Sequence, residues 1–312
     1  MNTIAVDAMG GDSAPVEVVK GAIKAKEDGV NVVLCGDENL IKPYLGSTEI
    51  PVYHFPQVIS MDEDPLKAIR AKKEASIVGC MQLLKEKKVE AVFSAGSTGA
   101  TLISAITILG KQKGVIRPAI ASILPNSDSS VILLDSGASL DVKPKILYQF
   151  AVMGSKLAEV LLELDNPRVG LLNNGEEESK GRDLEKSAYK LLSSSNLNFI
   201  GNVEGRDFAS EKVDVFVTDG FTGNISLKTA EGTAKLFQSH LEDAFKSSIL
   251  SKIGYFLSSL AMKSVRDRLD PRVHNCGILM GLNSLAVKCH GHSEFRGVSY
   301  AADIIYLSLI HI

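Results

Sequence analysis

The sequence has no strong charge of either sign, no long apolar run and no paired cysteines. Its 34 lysine and arginine residues nearly balance 37 aspartate and glutamate residues, and the net charge of −3 argues against a nucleic-acid binder with a broad basic surface. No window approaches ~18 uninterrupted apolar residues, so we expect no transmembrane helix. Residues 1–12 lack the basic and apolar regions of a signal peptide, which favours a cytoplasmic protein.

The few cysteines show none of the spacings that mark metal or redox motifs; they are Cys35, Cys80, Cys276 and Cys289. We therefore expect reduced thiols, as is usual in the cytosol. Zinc is conceivable at Cys289, His290 and His292, but three ligands within four residues lack the usual paired spacing. His290 is as consistent with a substrate contact as with a structural turn.

Short β-branched runs alternate with longer helical patterns along the 312 residues. This alternation predicts an α/β fold in which helices cover both faces of a mainly parallel sheet. The predicted strands are 3–6, 30–35, 52–55, 89–94, 119–124, 131–135, 168–173, 198–203, 213–218 and 285–289. The longer predicted helices are 15–27, 66–87, 99–109, 143–164, 182–194 and 223–244. No repeat or linker interrupts the pattern, which favours a single domain over 1–312.

Glycine loops follow six of the predicted strands. They are DAMGGD (7–12), SAGSTGA (94–100), LDSGAS (134–139), NNGEEESKG (173–181), TDGFTGN (218–224) and CHGHS (289–293). One such loop indicates only a turn. Because the carboxyl ends of parallel strands lie on one edge of a sheet, the six loops together predict a single ligand-binding crevice.

The 94–100 loop joins a strand to a helix through two glycines, and a helix start favours an anion because its N–H groups are unpaired. No lysine follows the second glycine, so the loop is not a nucleotide P-loop. The glycine spacing also differs from the dinucleotide fingerprint, which makes a nicotinamide-dependent dehydrogenase a distant alternative.

Six blocks carry a resemblance to a known family: IAVDAMGGD, SAGSTGA, VGLLNNGEEESKG, FIGNVEGRD, VDVFVTDGFTGNISLK and GLNSLAVKCHG. In this order, over nearly the whole chain, they resemble the bacterial phosphate acyltransferase family, PlsX. The resemblance implies transfer of a fatty acyl group from acyl carrier protein to inorganic phosphate. The acyl phosphate product would then serve a membrane glycerol-3-phosphate acyltransferase in phospholipid synthesis. The implied fold is a three-layer α/β/α unit, similar to phosphotransacetylases and isocitrate-type dehydrogenases, that forms a homodimer.

The anion expected in the glycine loops is then phosphate. The predicted phosphate-binding residues are Gly10, Gly11, Gly96, Ser97, Thr98, Gly99, Asp219, Gly220 and His290. Lys180 is predicted to counter the charge of phosphate or of the oxyanion, with Asn173 and Asn224 as catalytic hydrogen-bond donors. A solvated lysine and turn or cap asparagines are the alternatives. The chemistry requires no metal and no organic cofactor.

Ser97 has a second possible role, because a serine here could form an acyl-enzyme. No histidine–aspartate relay lies near it in sequence, and members of the family commonly carry asparagine at this place, so we predict that Ser97 and Thr98 donate hydrogen bonds. A divalent metal is also conceivable at the loop aspartates Asp7, Asp12, Asp135 and Asp219. Carboxylates beside phosphate repel it, so these residues more plausibly orient backbone amides or lysines.

Residues 245–266, FKSSILSKIGYFLSSLAMKSVR, contain no acidic residue. The apolar side chains recur at helical spacing, and those expected to contact a membrane are Ile253, Phe256, Leu257 and Leu260. The basic residues are Lys246, Lys252, Lys263 and Arg266. A basic amphipathic helix is typical of a peripheral membrane contact, although a dimer or core helix would show a similar pattern. We place this amphipathic insert within a helical segment at about 225–272.

Two other functions remain open at this stage. A short-chain phosphotransacetylase acting on acyl-CoA would show a similar fold and similar phosphate chemistry. A non-catalytic adaptor that binds acyl carrier protein and docks on the membrane would share the amphipathic helix but would not turn over substrate.

Overall fold

The computed structural model describes residues 3–126, 129–260, 262–263 and 276–289. The strands in these ranges are β1 (Thr3–Asp7), β2 (Asn31–Gly36), β3 (Val52–His54), β4 (Ala91–Ser94), β5 (Ala119–Pro125), β6 (Ser130–Leu134), β7 (Val169–Leu172), β8 (Phe199–Val203), β9 (Val215–Val217), β10 (Cys276–Met280) and β11 (Leu285–Cys289). The α-helices are α1 (Val16–Glu27), α2 (Glu38–Leu45), α3 (Pro65–Ala71), α4 (Ser76–Lys85), α5 (Thr98–Ile108), α6 (Pro144–Leu161), α7 (Asp183–Ser193), α8 (Gly220–Lys246) and α9 (Ile249–Leu257).

All the strands of the described ranges form one sheet in the order β3-β2-β1-β4-β11-β10-β5-β6-β9-β7-β8. Neighbouring strands are parallel except at the junctions β11–β10, β10–β5 and β5–β6. Residues of β4 and β9 are buried throughout, as expected for strands covered on both faces. The mainly parallel α/β fold predicted from the sequence is confirmed.

The antiparallel junctions divide the sheet into two halves that run in opposite directions. Strands β1 to β5 and β11 end at what we call the first edge, whereas β6 to β10 end at the opposite, second edge. The loops after β1 and β4 therefore lie at the first edge, and those after β6, β7 and β9 lie at the second. The prediction that all six glycine loops meet on one edge is wrong.

Helices cover each face of the sheet, which gives three layers. One hydrophobic cluster joins the sheet to α1, α2, α6 and α7, and two further clusters join the other face to α3, α4, α5 and α8. Ile120 and Leu124 of β5 belong to these two further clusters. Because they are four residues apart on one strand, both side chains point to the same face.

The helix predicted at 66–87 is two helices, α3 and α4. The chain between them pairs with Gln57. The Gln57 N–H donates to the Glu74 carbonyl oxygen at 3.1 Å, and the Gln57 carbonyl oxygen accepts from the Ser76 N–H at 3.0 Å. These bonds take the backbone out of the helical path. The sequence prediction also missed α2, whose single buried residue, Ile41, gives a weak apolar pattern.

The prediction of four reduced cysteines is wrong for one pair. Cys276 of β10 and Cys289 of β11 form a disulfide, with 4.2 Å between their Cα atoms. The antiparallel register places the two residues opposite each other, whereas their separation of 13 in sequence matches no motif. Cys35 and Cys80 are free and buried. The sulfur of Cys289 is thus bonded to another cysteine, which removes the zinc alternative; His290 and His292 lie outside the described residues.

Within the described ranges, no helix combines the length and the apolar character that crossing a membrane requires.

Candidate active site

At the first edge, a short turn connects the end of β4 to the start of α5. Ser97 caps the helix, and its Oγ accepts a hydrogen bond from the Ala100 N–H at 3.4 Å. The N–H groups of Thr98 and Gly99 are the first two of α5 and have no acceptor inside the helix. These two donors, together with the positive end of the helix, make this turn a candidate anion-binding element.

The loop after β1 lies directly against this turn. A Cβ atom on Gly10 would lie 2.5 Å from Oδ2 of Asp7 and 2.8 Å from the Gly96 N atom, so only glycine fits. Gly11 has φ of +113°, in the left-handed region that favours glycine. The predicted residues Gly10, Gly11 and Gly96 thus bring two backbone segments together, and we call this set, with Ser97, Thr98 and Gly99, the first group.

Asp7 holds part of the first group in place through Ser94. Ser94 Oγ donates to Asp7 Oδ2 at 2.6 Å and accepts from the Gly96 N–H at 3.0 Å. Burial raises the pKa of Asp7, and the hydrogen bond from Ser94 opposes that rise. A cavity of about 10 Å³ beside these residues holds one water at most, so Asp7 orders the loop rather than contacting a ligand.

At the second edge, Asp219 caps the start of α8. Its carboxylate accepts from the Thr222 N–H at 2.8 Å and from Thr222 Oγ1 at 3.1 Å. Arg182 Nη2 contacts Asp219 Oδ2 at 2.5 Å and Glu185 Oε1 at 2.5 Å. With its oxygens used in this way and its side chain buried, Asp219 holds the helix start and Arg182 in place. Sequence reasoning gave Arg182 no role, although it lies two residues after Lys180.

The loop after β7 is folded on itself around Asn173. The Asn173 amide nitrogen donates to the Lys180 carbonyl oxygen at 3.2 Å, and its oxygen accepts from the Asn174 N–H at 2.8 Å. The Lys180 side chain passes over Gly175, where an added Cβ would lie 2.8 Å from Lys180 Cγ. Lys180 itself is exposed. The Lys180 ammonium is thus carried at the surface of the loop, and Asn173 is bonded to the Lys180 backbone.

A cavity of about 550 Å³ opens beside this loop and the start of α8. Its lining includes the polar residues Asn173, Arg182, Thr222 and Ser226. The site therefore has room for a small organic group, and its polar side chains come from β7, α7 and α8. Its walls carry one guanidinium, which is already paired with two carboxylates.

Asn224 lies against the loop after β6. Its side chain is 3.6 Å from the position of a Cβ on Gly137. The buried Asp135 carboxylate accepts from the N–H groups of Gly137, Ala138 and Ser139 at 3.2, 3.0 and 2.7 Å. Burial raises the pKa of Asp135, and these backbone donors oppose the rise. Like Asp7, Asp135 orders a glycine turn.

The second group, defined as Asn173, Lys180, Asp219, Gly220 and Asn224, is thus separated from the first group. The structure brings together the members of each group but places the two groups at opposite edges of the sheet. Helix α8 begins in the second group and is 27 residues long, and its buried residues, Gly220, Gly223 and Leu227, lie in its first part. His290 lies outside the described residues.

A larger cavity of about 1040 Å³ lies beside α6 and the turn between β10 and β11. Apolar side chains such as Met153, Leu157 and Leu282 dominate its lining, and none of the predicted site residues reaches it. We therefore do not place the phosphate chemistry there. In the described part of the chain, no group of three or more histidine, cysteine, aspartate or glutamate side chains is arranged to hold a metal ion.

Comparisons with known proteins define the family and the fold. The family described as "Fatty acid synthesis protein" matches residues 2–306. A "Phosphate acyltransferase" from Pelotomaculum thermopropionicum is 44% identical over 306 residues, covering 96% of this chain and 90% of the relative. A phosphotransacetylase structure from Streptococcus pyogenes has a TM-score of 0.62 at 17% identity, covering 99% and 94% of the two chains. A 4-hydroxythreonine-4-phosphate dehydrogenase from Klebsiella pneumoniae has a TM-score of 0.59 at 13% identity, covering 99% and 100%. These two structures share the fold.

Proposed function

Because this chain belongs to the fatty acid synthesis protein family, whose relatives are named phosphate acyltransferase, we propose that it transfers a fatty acyl group from acyl carrier protein to inorganic phosphate. The chain is an acyltransferase. The carrier-bound donor, the use of the product in phospholipid synthesis and the cytoplasmic, membrane-associated location belong to the proposal.

The observation that supports phosphate as acceptor is the start of α5, where two N–H groups without helical acceptors follow a glycine turn. In the reaction, an oxygen of hydrogen phosphate attacks the thioester carbonyl carbon and forms a C–O bond. The C–S bond breaks, and the sulfur leaves with the proton of the phosphate as the free thiol of the carrier. Phosphate is already anionic, so the site has mainly to position it and to stabilise the oxyanion.

The separation of the two groups suggests separate tasks. We assign phosphate to the first group, because its donors are backbone N–H groups and the neighbouring carboxylate of Asp7 is bonded to Ser94. We assign to the second group a part of the acyl donor that is remote from its thioester, because Asn173 lines a cavity of about 550 Å³ there. The thioester itself must reach the phosphate at the first group. A change in the first group should therefore affect mainly the phosphate requirement, and a change in the second mainly turnover of the donor.

The purified chain, incubated with radiolabelled phosphate and an acyl donor, tests this function. Long-chain acyl-acyl carrier protein should give labelled acyl phosphate at a higher kcat/KM than short-chain acyl-CoA. A preference for short-chain acyl-CoA would identify a phosphotransacetylase instead. Binding of acyl carrier protein without any product, under conditions where a known phosphate acyltransferase turns over, would refute the enzyme mechanism and favour an adaptor.

The end of α8 and the whole of α9 present apolar surface to solvent. In α9, the exposed side chains are Ile249, Leu250, Ile253, Phe256 and Leu257, and Leu260 follows at 85% exposure. Phe245 and Tyr255 form a ring contact of 5.1 Å between centroids that holds α9 on α8. We propose that the outer face of α9 contacts the membrane surface, because Lys246, Lys252 and Lys263 flank it and can attract anionic lipid.

Helix α8 carries a separate apolar stripe. Phe221, Ile225 and Leu236 are 56%, 51% and 60% exposed and lie within about 60° of one another around the helix. Gly232 falls on the same stripe, with open space around its missing Cβ. We propose that this stripe is the contact between two copies of the chain, leaving α9 free to reach the membrane and the glycerol-3-phosphate acyltransferase there. The latter encounter is indirect or transient.

A further inference from the structure

Lys288 occupies the middle of the sheet, where a charged residue is unusual. It is the fourth residue of β11, which lies between β4 and β10. In the register of these strands, Lys288 stands beside Ser94 on one side and Gly277 on the other. Val287 belongs to the core of one face, whereas Ala286 belongs to the core of the face covered by α5. Alternation along the strand therefore places the Lys288 side chain on the face of α5 and α8.

Charged groups from two other elements face this side chain. Lys228 and Glu231 come from α8, and Asp12 comes from the loop after β1. Glu231 lies 11 residues beyond Gly220, or about 16 Å along the helix axis, so α8 has crossed from the second group towards the first. Lys288 thus lies between the two groups, on the side of the first.

The charge of Lys288 is not balanced by a direct contact in the described ranges. Its ammonium forms no ion pair and no hydrogen bond with the residues described there. Burial, reinforced by Lys228, lowers the pKa of Lys288 to about 8, against the opposing effect of Asp12 and Glu231. A partly buried ammonium that is not paired is costly, and an anion bound beside it would offset that cost.

Neighbouring parallel strands are about 4.8 Å apart, so the backbone of Lys288 lies close to that of Ser94. Ser94 accepts a hydrogen bond from the Gly96 N–H, and α5 begins two residues after Gly96. We propose that Lys288 binds the phosphate substrate, with its ammonium opposite the first N–H groups of α5. This assignment rests on the proposed transfer of an acyl group to phosphate and adds a charged residue to the first group.

The sign of the pH dependence follows from the lowered pKa. Lys288 is protonated below about pH 8 and loses its charge as the pH rises through that value. Phosphate affinity should then fall above about pH 8, where phosphate itself is already the dianion. Among the described residues, the charged groups facing Lys288 are Lys228, Glu231 and Asp12. The loss of phosphate affinity above about pH 8 must therefore be assigned by substitution at position 288. Lys288→Arg should abolish this loss, because a guanidinium stays charged.

Equilibrium dialysis with radiolabelled inorganic phosphate, in the absence of any acyl donor, tests the assignment directly. Lys288→Met should weaken phosphate binding and raise KM for phosphate by about 10²-fold, with KM for the acyl donor unchanged. Lys288→Arg should stay within about 10-fold of the parent. The control is Lys190→Met, which removes an exposed lysine of α7 and should change neither phosphate binding nor KM for phosphate.

A folded Lys288→Met variant that binds phosphate like the parent would overturn the proposal. If that variant does not fold, the unaltered protein still decides, because a phosphate Kd that stays constant from about pH 7 to pH 9 contradicts a role for Lys288. Phosphate binding that depends on Lys288 without acyl transfer would refute the proposed function and support this site. Acyl transfer that is indifferent to Lys288 would refute only the site.

Discussion

The proposed membrane contact of α9 can be tested directly, because the exposed side chains of this helix can be changed without altering the core. Phe256 and Leu257 are 77% and 79% exposed. Burying a large apolar side chain fully contributes about 1.5–3 kcal/mol, so inserting these two exposed surfaces should contribute roughly 3 kcal/mol to lipid binding. Replacing both by aspartate removes that term and adds two charges that an anionic surface repels.

We therefore expect Phe256→Asp with Leu257→Asp to lower vesicle partitioning by about 10²-fold or more, since ~1.4 kcal/mol is a factor of ten. Co-sedimentation with vesicles of equal parts phosphatidylglycerol and phosphatidylethanolamine measures this. The matched control is Leu40→Asp with Tyr44→Asp, an exposed pair four residues apart on α2 that should leave partitioning unchanged. Turnover with a soluble donor should survive both double changes.

Salt separates the apolar and electrostatic parts of this binding. Each lysine near an anionic surface contributes about 1 kcal/mol, and screening shortens that attraction to about 10 Å at ~0.1 M salt. Charge reversal at Lys246 and Lys252 should thus weaken binding mainly at low salt. If the parent does not sediment with vesicles, or the double aspartate variant sediments equally well, the membrane hypothesis fails. If the double aspartate variant becomes monomeric, the outer face of α9 is a dimer contact instead.

The remaining predictions concern the two groups and the dimer. Lys180→Ala should lower kcat/KM for the acyl donor by about 10²-fold, while Lys190→Ala leaves it unchanged; unchanged kinetics in the folded Lys180→Ala variant would remove Lys180 from the site. Ser97→Asn should keep activity within about 10-fold, because asparagine also caps helices well, whereas mass spectrometry that finds an acyl group on Ser97 would refute the non-covalent route. Leu236→Glu should shift the chain from dimer to monomer in light scattering after gel filtration, and a variant that stays dimeric would move the contact away from the α8 stripe.

The sequence predicted most of the strands because they are short, β-branched and buried, as are β2, β4 and β6. One strand, β10, was missed, because Gly277 interrupts its apolar run and Gly281 follows it closely. The predicted site changed for another reason. β5 and β6 were both predicted as strands, but they pair antiparallel, and this pairing reverses the direction of β6, β9 and β7 relative to β5. A rule that holds for parallel sheets therefore placed the glycine loops on one edge instead of two.

The disulfide and the Lys288 site were beyond sequence reasoning for a related cause. Cys276 and Cys289 become neighbours only through the hairpin that β10 and β11 form. Lys288 gains its surroundings only when α8 crosses the sheet face and brings Lys228 and Glu231 to it. Local periodicity contains neither contact, because each depends on pairings between elements far apart in the chain.

Buried aspartates at the strand ends order the glycine loops of both groups. Asp7 holds Ser94, and Ser94 accepts from the Gly96 N–H; Asp135 accepts from three successive N–H groups; Asp219 accepts from the first turn of α8. Each carboxylate accepts hydrogen bonds from the loop that it orders, although Oδ1 of Asp7 is buried without a partner. The first N–H groups of α5 and the ammonium groups of Lys180 and Lys288 would attract phosphate in the proposed reaction. A divalent cation would have to compete with these hydrogen bonds for most of the carboxylate oxygens.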